Sequence, residues 1–213
     1  MATIDHVSRA EQARQHTLVV VAHPDPRSLT HAVAREIAGA TEGAGGSVET
    51  ADLAGERFDP AFTIDDVRHY HGAAPAPADV VAEQRRIDRA DRLVLVFPVY
   101  WWSMPALLKG WIDRVFVNGW AFDHSVEQGI TPRLTGTTVH LVPIAGGDAD
   151  GYRRHGYTEA LRVQVESGIF GFCGATVGSA TTIFESEATT ADTFAAEMES
   201  LAAAVQGAAV ATA

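Results

Sequence analysis

Five times along the chain a short strand-like run is followed by a longer stretch of helical periodicity. No other feature narrows the possible folds as much. Thr17–His23 (TLVVVAH) and Arg92–Val99 (RLVLVFPV) are continuous apolar runs rich in β-branched residues, the pattern of strands buried on both faces. Ser47–Leu53 alternates weakly and suits a more exposed second strand, and Thr137–Ile144 and Ala175–Ile183 supply the fourth and fifth. Helical stretches follow each strand. Leu29–Ala40 has Ser28 as its N-cap and is stopped by Gly43–Gly46. Asp79–Ala90 comes next, then Ala106–Val117, entered through Pro105, with Leu107, Leu108, Trp111, Ile112 and Val115 at helical spacing. Thr158–Phe172 ends at Gly174, and Thr190–Gln206 is Ala-rich and amphipathic. Residues 54–77 read as loop, punctuated by Asp59-Pro60 and by Pro75 and Pro77.

Strands that alternate with helices require a parallel sheet covered on both faces. Five strands predict an α/β, flavodoxin-like doubly wound parallel sheet of order 2-1-3-4-5 with helices on both faces, and not a six-stranded dinucleotide fold. At 213 residues, one domain is expected over 17–206, between a flexible N-terminal extension (1–16) and a frayed tail (207–213). The single cysteine, Cys173, excludes an intramolecular disulfide and a Cys-rich zinc site. With 27 acidic against 16 basic residues the net charge is −11, which argues against a nucleic-acid partner and against a polybasic membrane patch. No apolar run approaches the roughly 20 residues of a membrane span, and the first residues lack the apolar core of a signal peptide. A cytoplasmic protein without membrane insertion is expected.

In such a sheet ligands bind beyond the carboxyl ends of the strands, where the winding reverses between the first and third strands. Three loops reach that edge. The first, His23-Pro24-Asp25-Pro26-Arg27-Ser28-Leu29-Thr30, opens onto a helix. Free amides, a positive dipole end, the hydroxyls of Ser28 and Thr30 and the charge of Arg27 and His23 would make a phosphate cradle. A Pro-stiffened turn with an ordinary cap fits that segment equally well. The second, Pro98-Val99-Tyr100-Trp101-Trp102-Ser103, carries adjacent tryptophans that cannot both enter one core from a strand, since successive side chains alternate faces. At the ligand edge they suggest a flat aromatic wall; elsewhere they would be a hydrophobic plug or an oligomer contact. The third, Ala145-Gly146-Gly147-Asp148, lets backbone amides approach a ligand, with Tyr152 and His155 following as possible proton or hydrogen-bond donors.

No GxGxxG after a strand, Walker loop, GxSxG elbow or HExxH is present. Val21-Ala22-His23-Pro24-Asp25 resembles the AHPDDE opening of zinc-dependent deacetylases. Pro26-Arg27 replaces the acidic pair there and sets a cation where a metal would sit, so a zinc-dependent hydrolase is the remote reading. Asp5/His6, His69/His71 and Asp123/His124 read as solvated polar pairs.

A longer and more specific pattern runs through Asp79–Phe122, FP-x-x-W-aromatic-x-x-PA-x-LKGW-x-x-RVF. Together with VVVAHPDPRSLTHAVA, Gly146-Gly147…Tyr152 and Ser167–Gly174 in the same order, it closely resembles the NAD(P)H:quinone oxidoreductase family, the DT-diaphorase-like flavoproteins. The resemblance implies a flavodoxin-like homodimer holding FMN or FAD, with NAD(P)H as co-substrate and the active site at the dimer interface. It implies that His23, Arg27, Ser28, Leu29 and Thr30 hold the flavin's phosphate arm. Pro98, Val99, Tyr100, Trp101 and Trp102 would line the ring, and Ala145, Gly146 and Gly147 would meet its polar edge. Tyr152 matches a tyrosine that helps stabilise the reduced flavin. Phe122 and His124 match aromatic positions that cover the pocket from the partner subunit. His155 stands three residues before the family's histidine, and the long C-terminal extension of the larger FAD-binding members has no counterpart, which points to FMN.

The function so implied is hydride transfer from NAD(P)H through the flavin to quinones or similar planar acceptors by ping-pong kinetics, with Trp101 and Trp102 beside the substrates. A flavin-bound regulatory subunit of a potassium-efflux system or another partner protein is the alternative from a different class. Arg133, Arg153 and Arg154 are candidates for a phosphate contact from the co-substrate.

Overall fold

A computed structural model describes residues 15–207. In chain order the elements are β1 (His16–Val21), α1 (Leu29–Gly43), β2 (Ser47–Asp52), α2 (Ile64–Tyr70), α3 (Ala78–Asp88), β3 (Arg92–Pro98) and α4 (Ala106–Val115). There follow β4 (Phe122–Ser125), β5 (Gly129–Pro132), β6 (Thr138–Ile144), α5 (Ala149–His155), α6 (Tyr157–Leu161), a π-helical segment (Arg162–Gly171), β7 (Thr176–Ala180) and α7 (Ala191–Gln206). The main sheet is parallel, in the order β2-β1-β3-β6-β7. This is the expected 2-1-3-4-5 winding, with the antiparallel β4–β5 hairpin inserted between its third and fourth strands.

The solid apolar runs are interior strands because both of their faces are covered. Leu18, Val20, Leu93, Leu95 and Leu141 pack with Leu108, Trp111, Ile112 and Phe170 on one side. Val19, Val21, Val94, Val96 and Val142 pack with Val33, Ile37, Leu201 and Val205 of α1 and α7 on the other. Gly110, the glycine of the KGW segment, allows the chain after β2 to cross α4, since a Cβ there would overlap the Pro60 carbonyl oxygen.

Residues 54–77, expected as loop, contain α2. Its apolar residues Ile64, Val67 and Tyr70 are exposed, so it presents no core-facing stripe to be read. A capping box closes its start, Thr63 with Asp66, and an ion pair holds it down. Arg114, 4% exposed on α4, reaches both Asp66 carboxylate oxygens at 3.1 Å, Asp79 Oδ2 at 2.6 Å and the Asp59 carbonyl at 2.8 Å.

Other boundaries differ from expectation. The helix expected over 158–172 begins earlier, as α5, breaks at Gly156 (φ +74°), and continues as α6 and the π-helical segment. His16, assigned to the extension 1–16, is the first residue of β1, where its N–H donates to Asp91 at 2.8 Å and its ring meets Ser47. Residues 1–14 of that extension and 208–213 of the expected tail lie outside the described residues; Gly207 caps α7 at φ +70°. Among the described residues no helix is long and apolar enough to cross a membrane.

Candidate active site

Parallel register brings the three loops to one edge. Val21 pairs with Val96, and Pro98 pairs with Ile144, so β1, β3 and β6 end side by side. The Val99 N–H donates to the Ile144 carbonyl at 2.8 Å, tying the second loop to the third.

In the first loop Ser28 is the N-cap of α1 and accepts from the His31 amide at 3.3 Å. Its hydroxyl also lies 3.1 Å from His31 Nδ1, and His31 Nε2 lies 3.1 Å from Asp52 at the end of β2. The cap is thus held by a chain of side chains from a neighbouring strand. The amides of Leu29 and Thr30 have no hydrogen-bond partner among the described residues, the ordinary condition of a first helical turn. His23 Nδ1 accepts the Asp25 amide at 3.0 Å, and exposed Arg27 leans back on Asp25. Thr30 is buried beneath the turn.

The second loop holds two adjacent non-glycine residues at positive φ, found nowhere else among the described residues. Tyr100 N–H donates to the Ser103 carbonyl at 2.9 Å and Ser103 N–H returns to Tyr100 at 3.1 Å. Between them Trp101 and Trp102 stand at φ +50° and +58°. Positive φ at both central residues is the type I′ turn, which favours Asn-Gly. Each non-glycine residue held there costs about 1–3 kcal/mol. Packing offsets part of that strain. Trp102 stacks on Tyr157 with ring centroids 4.5 Å apart and planes 26° apart, worth about 0.5–1.5 kcal/mol beyond burial. Ser103 Oγ donates to Gln164 Oε1 of the π-helical segment at 2.7 Å. Trp101 is 87% exposed, edge-on to Trp102.

The third loop is held from below. Ala145 is buried, with its N–H on the Ile183 carbonyl and its carbonyl accepting the Ser186 N–H, while Gly147 accepts from Glu185. Nothing lies where a Gly146 Cβ would project, so its backbone is open to a ligand. A Cβ on Gly147 would press on the Tyr152 ring at 3.2 Å, which is why glycine stands there. Asp148 caps α5 through the Gly151 amide, which holds its carboxyl below the usual range. Tyr152 is buried, edge-on to Tyr157 and Phe184, and its hydroxyl has no hydrogen-bond partner among the described residues. Burial, reinforced by the Tyr157 phenol, raises its pKa above the ordinary phenol value, so it is a donor at neutral pH.

His155 also stacks on Tyr157, with centroids 5.4 Å apart. Tyr157 therefore meets Trp102, His155 and Tyr152. Tyr157, Gln164, His31 and Asp52 escaped the sequence reading. Each acts through a contact that sequence spacing does not encode, although the tyrosine following Gly156 was a visible cue.

Phe122 and His124 are not joined to these loops within one chain. Their hairpin grows from the amino end of the sheet, where Arg133 N–H donates to Ala121 and Leu134 N–H to Cys173, both ahead of the strands that follow. Phe122 is edge-on to Phe172, and His124 is exposed with its amide on Asn118. Arg133 pairs with Asp123 and Arg153 with Asp150. Among the described residues no three His, Cys, Asp or Glu side chains converge as a metal-ligand group.

A capped helix end with two free amides, two inclined tryptophans and a glycine pair beside a buried phenol lie together at the switch point of a five-stranded parallel sheet, where ligands of doubly wound folds bind. The family model described as flavodoxin-like fold matches residues 15–206. The ribosyldihydronicotinamide dehydrogenase [quinone] of Pongo abelii is 31% identical over 183 residues, covering 76% of this chain and 78% of that one. NAD(P)H dehydrogenase [quinone] 1 of Rattus norvegicus is 29% identical, covering 76% and 66%. A solved NAD(P)H:quinone oxidoreductase of Methanothermobacter marburgensis superposes with a TM-score of 0.79 at 24% identity, over 90% of this chain and 98% of its own, a likeness of fold. The chain belongs to the flavodoxin-like family, in its NAD(P)H:quinone oxidoreductase branch.

Proposed function

We propose that the protein is a flavin-dependent NAD(P)H oxidoreductase that reduces quinones or similar planar acceptors, with FMN as its flavin. The observation that carries this reading is the tandem-tryptophan turn. A chain that holds two adjacent tryptophans in left-handed backbone and leaves one of them 87% exposed recovers only part of that strain, through the stack of Trp102 on Tyr157. Strain of this kind belongs where a ligand is met.

The residues present fit a flavin. The Ser28 cap with the free Leu29 and Thr30 amides suits one phosphate, as in FMN. The two indoles stand 66° apart and so do not make the single flat wall expected from the sequence; the exposed Trp101 ring offers an apolar face, and Gly146 an open backbone for a polar ring edge. Once bound, a flavin supplies the redox chemistry, taking a hydride from NAD(P)H and giving it up to the acceptor. The chain's own residues bind, orient and stabilise charge. Tyr152 Oη would donate a hydrogen bond to the polar edge of a bound flavin and favour negative charge there, and the Gly146 and Gly147 amides would add backbone donors. One aromatic slot serves donor and acceptor in turn, which gives ping-pong kinetics. Phe122 and His124 complete the slot from a second copy of the chain, since their hairpin faces away from it within one protomer.

The visible spectrum of the purified protein, followed by chromatography of what denaturation releases, tests the proposal. Flavin bands that bleach with NADPH, and release of FMN, are expected. A colourless protein that neither takes up nor quenches added FMN contradicts it.

A further inference from the structure

We propose that Tyr157 is a positioning residue for the acceptor slot, one that clamps Trp102 into its left-handed turn and thereby fixes the aromatic wall; this rests on the oxidoreductase reading of the site. A tight turn with positive φ at two non-glycine residues does not hold itself. Its two backbone hydrogen bonds close the turn but do not decide where the indoles point. Trp102 has one extended partner, the Tyr157 ring, in a near-parallel stack with 4.5 Å between centroids. Trp101, without such a partner, stands out at 87% exposure. The wall therefore has one fixed indole and one free indole, and Tyr157 makes the difference.

The placement of Tyr157 is itself built. Gly156 at φ +74° ends α5 and starts α6, and Tyr157 is the first residue after that break. There it meets Tyr152 edge-on at 5.7 Å and stacks on His155 at 5.4 Å. The same ring thus touches the wall and the phenol donor. A second tie comes from Gln164, whose side-chain carbonyl accepts the Ser103 hydroxyl at 2.7 Å. Gln164 lies inside the π-helical segment, where the wider winding changes the direction of side chains relative to an α-helix. Both ties run from the stretch 157–164 to the turn 100–103. The slot's shape is therefore set by an element that lies outside the turn itself.

Three single variants test the clamp: Tyr157→Phe, Tyr157→Leu and Gln164→Leu. The first reading is the near-ultraviolet circular dichroism of the purified proteins without substrate, which reports the tryptophan–tyrosine stack independently of turnover. The second is KM against kcat with a water-soluble benzoquinone. Tyr157→Leu is expected to weaken the tryptophan band and raise KM about tenfold, with the loss falling on KM rather than kcat. Tyr157→Phe, which keeps the stack, is expected to restore both readings. Gln164→Leu raises KM about threefold in the same direction, and it decides the matter if Tyr157→Leu does not fold. A Tyr157→Leu protein with the parental band and KM overturns the proposal, as does a phenylalanine variant as impaired as the leucine one. If the parent reduces no quinone, the oxidoreductase reading fails, and the dichroism series alone decides the clamp.

Discussion

The Tyr152 hydroxyl is poised as a donor by its surroundings. Its ring is buried between Tyr157 and Phe184, and Gly147 leaves just enough room beside it. Burial and then the neighbouring phenol both favour the neutral form, so the proton stays on through neutral pH and leaves only above the ordinary phenol value near 10. Replacing Tyr152 with Phe keeps the ring and removes the donor. Stopped-flow reduction by NADPH is expected to slow about 100-fold at unchanged flavin content. An alkaline fall in rate is expected in the parent above the ordinary phenol value and is expected to vanish in the variant. A Phe variant with the parental rate and profile would remove Tyr152 from the chemistry. The residue scale also shows where sequence reading stops: Tyr152 follows a Gly-Gly pair and could be singled out, whereas Tyr157 gains its importance only from the stack on Trp102.

At the scale of elements, legibility follows burial. β1, β3 and β6 were plain because strands covered on both faces are solidly apolar, and their order followed from alternation with helices. α2 was hidden because it is held by Asp66 on Arg114 and not by an apolar stripe. The β4–β5 hairpin was hidden because its strands are only four residues each and carry one large apolar side chain apiece, Phe122 and Ile130, too few for an alternating pattern. The stretch 162–171 was legible as helix, inside the helix expected over 158–172, and so was its Gly174 stop; the π winding was not, because side-chain spacing does not encode it. The β6–β7 pair carries a further consequence. His140 is buried, with Nδ1 on Ser179 at 2.8 Å and Nε2 without a partner among the described residues, beside a register shift and Gly178. Burial, aided by the Arg92 charge, pushes its pKa down to about 4, whereas the unfolded chain takes up the proton near 6.5. Between those values the unfolded state binds more protons. Stability from this residue is therefore full above pH 6.5 and falls as pH drops towards 4, by about 3 kcal/mol in all. Melting temperatures at pH 7.5 and pH 4.5 measure the fall, and His140→Gln is expected to flatten it; an unaltered slope would assign the acid sensitivity elsewhere.

For the whole molecule, the winding order does the essential work: it places the ends of β1, β3 and β6 together and so makes one site from segments far apart in the chain. The candidate residues of the three loops were legible because that edge is fixed by topology. The tie-points behind them were not, since contacts from Asp52, Tyr157 and Gln164 depend on the folded arrangement. Under the proposed function a single slot at this edge serves the reductant and the acceptor in succession. Steady-state rates with NADPH and a benzoquinone varied together test this most directly. Parallel lines in the double-reciprocal plot are predicted, because the nicotinamide product must leave before the acceptor enters. Intersecting lines would show both substrates bound at once, and the single-slot account would be wrong.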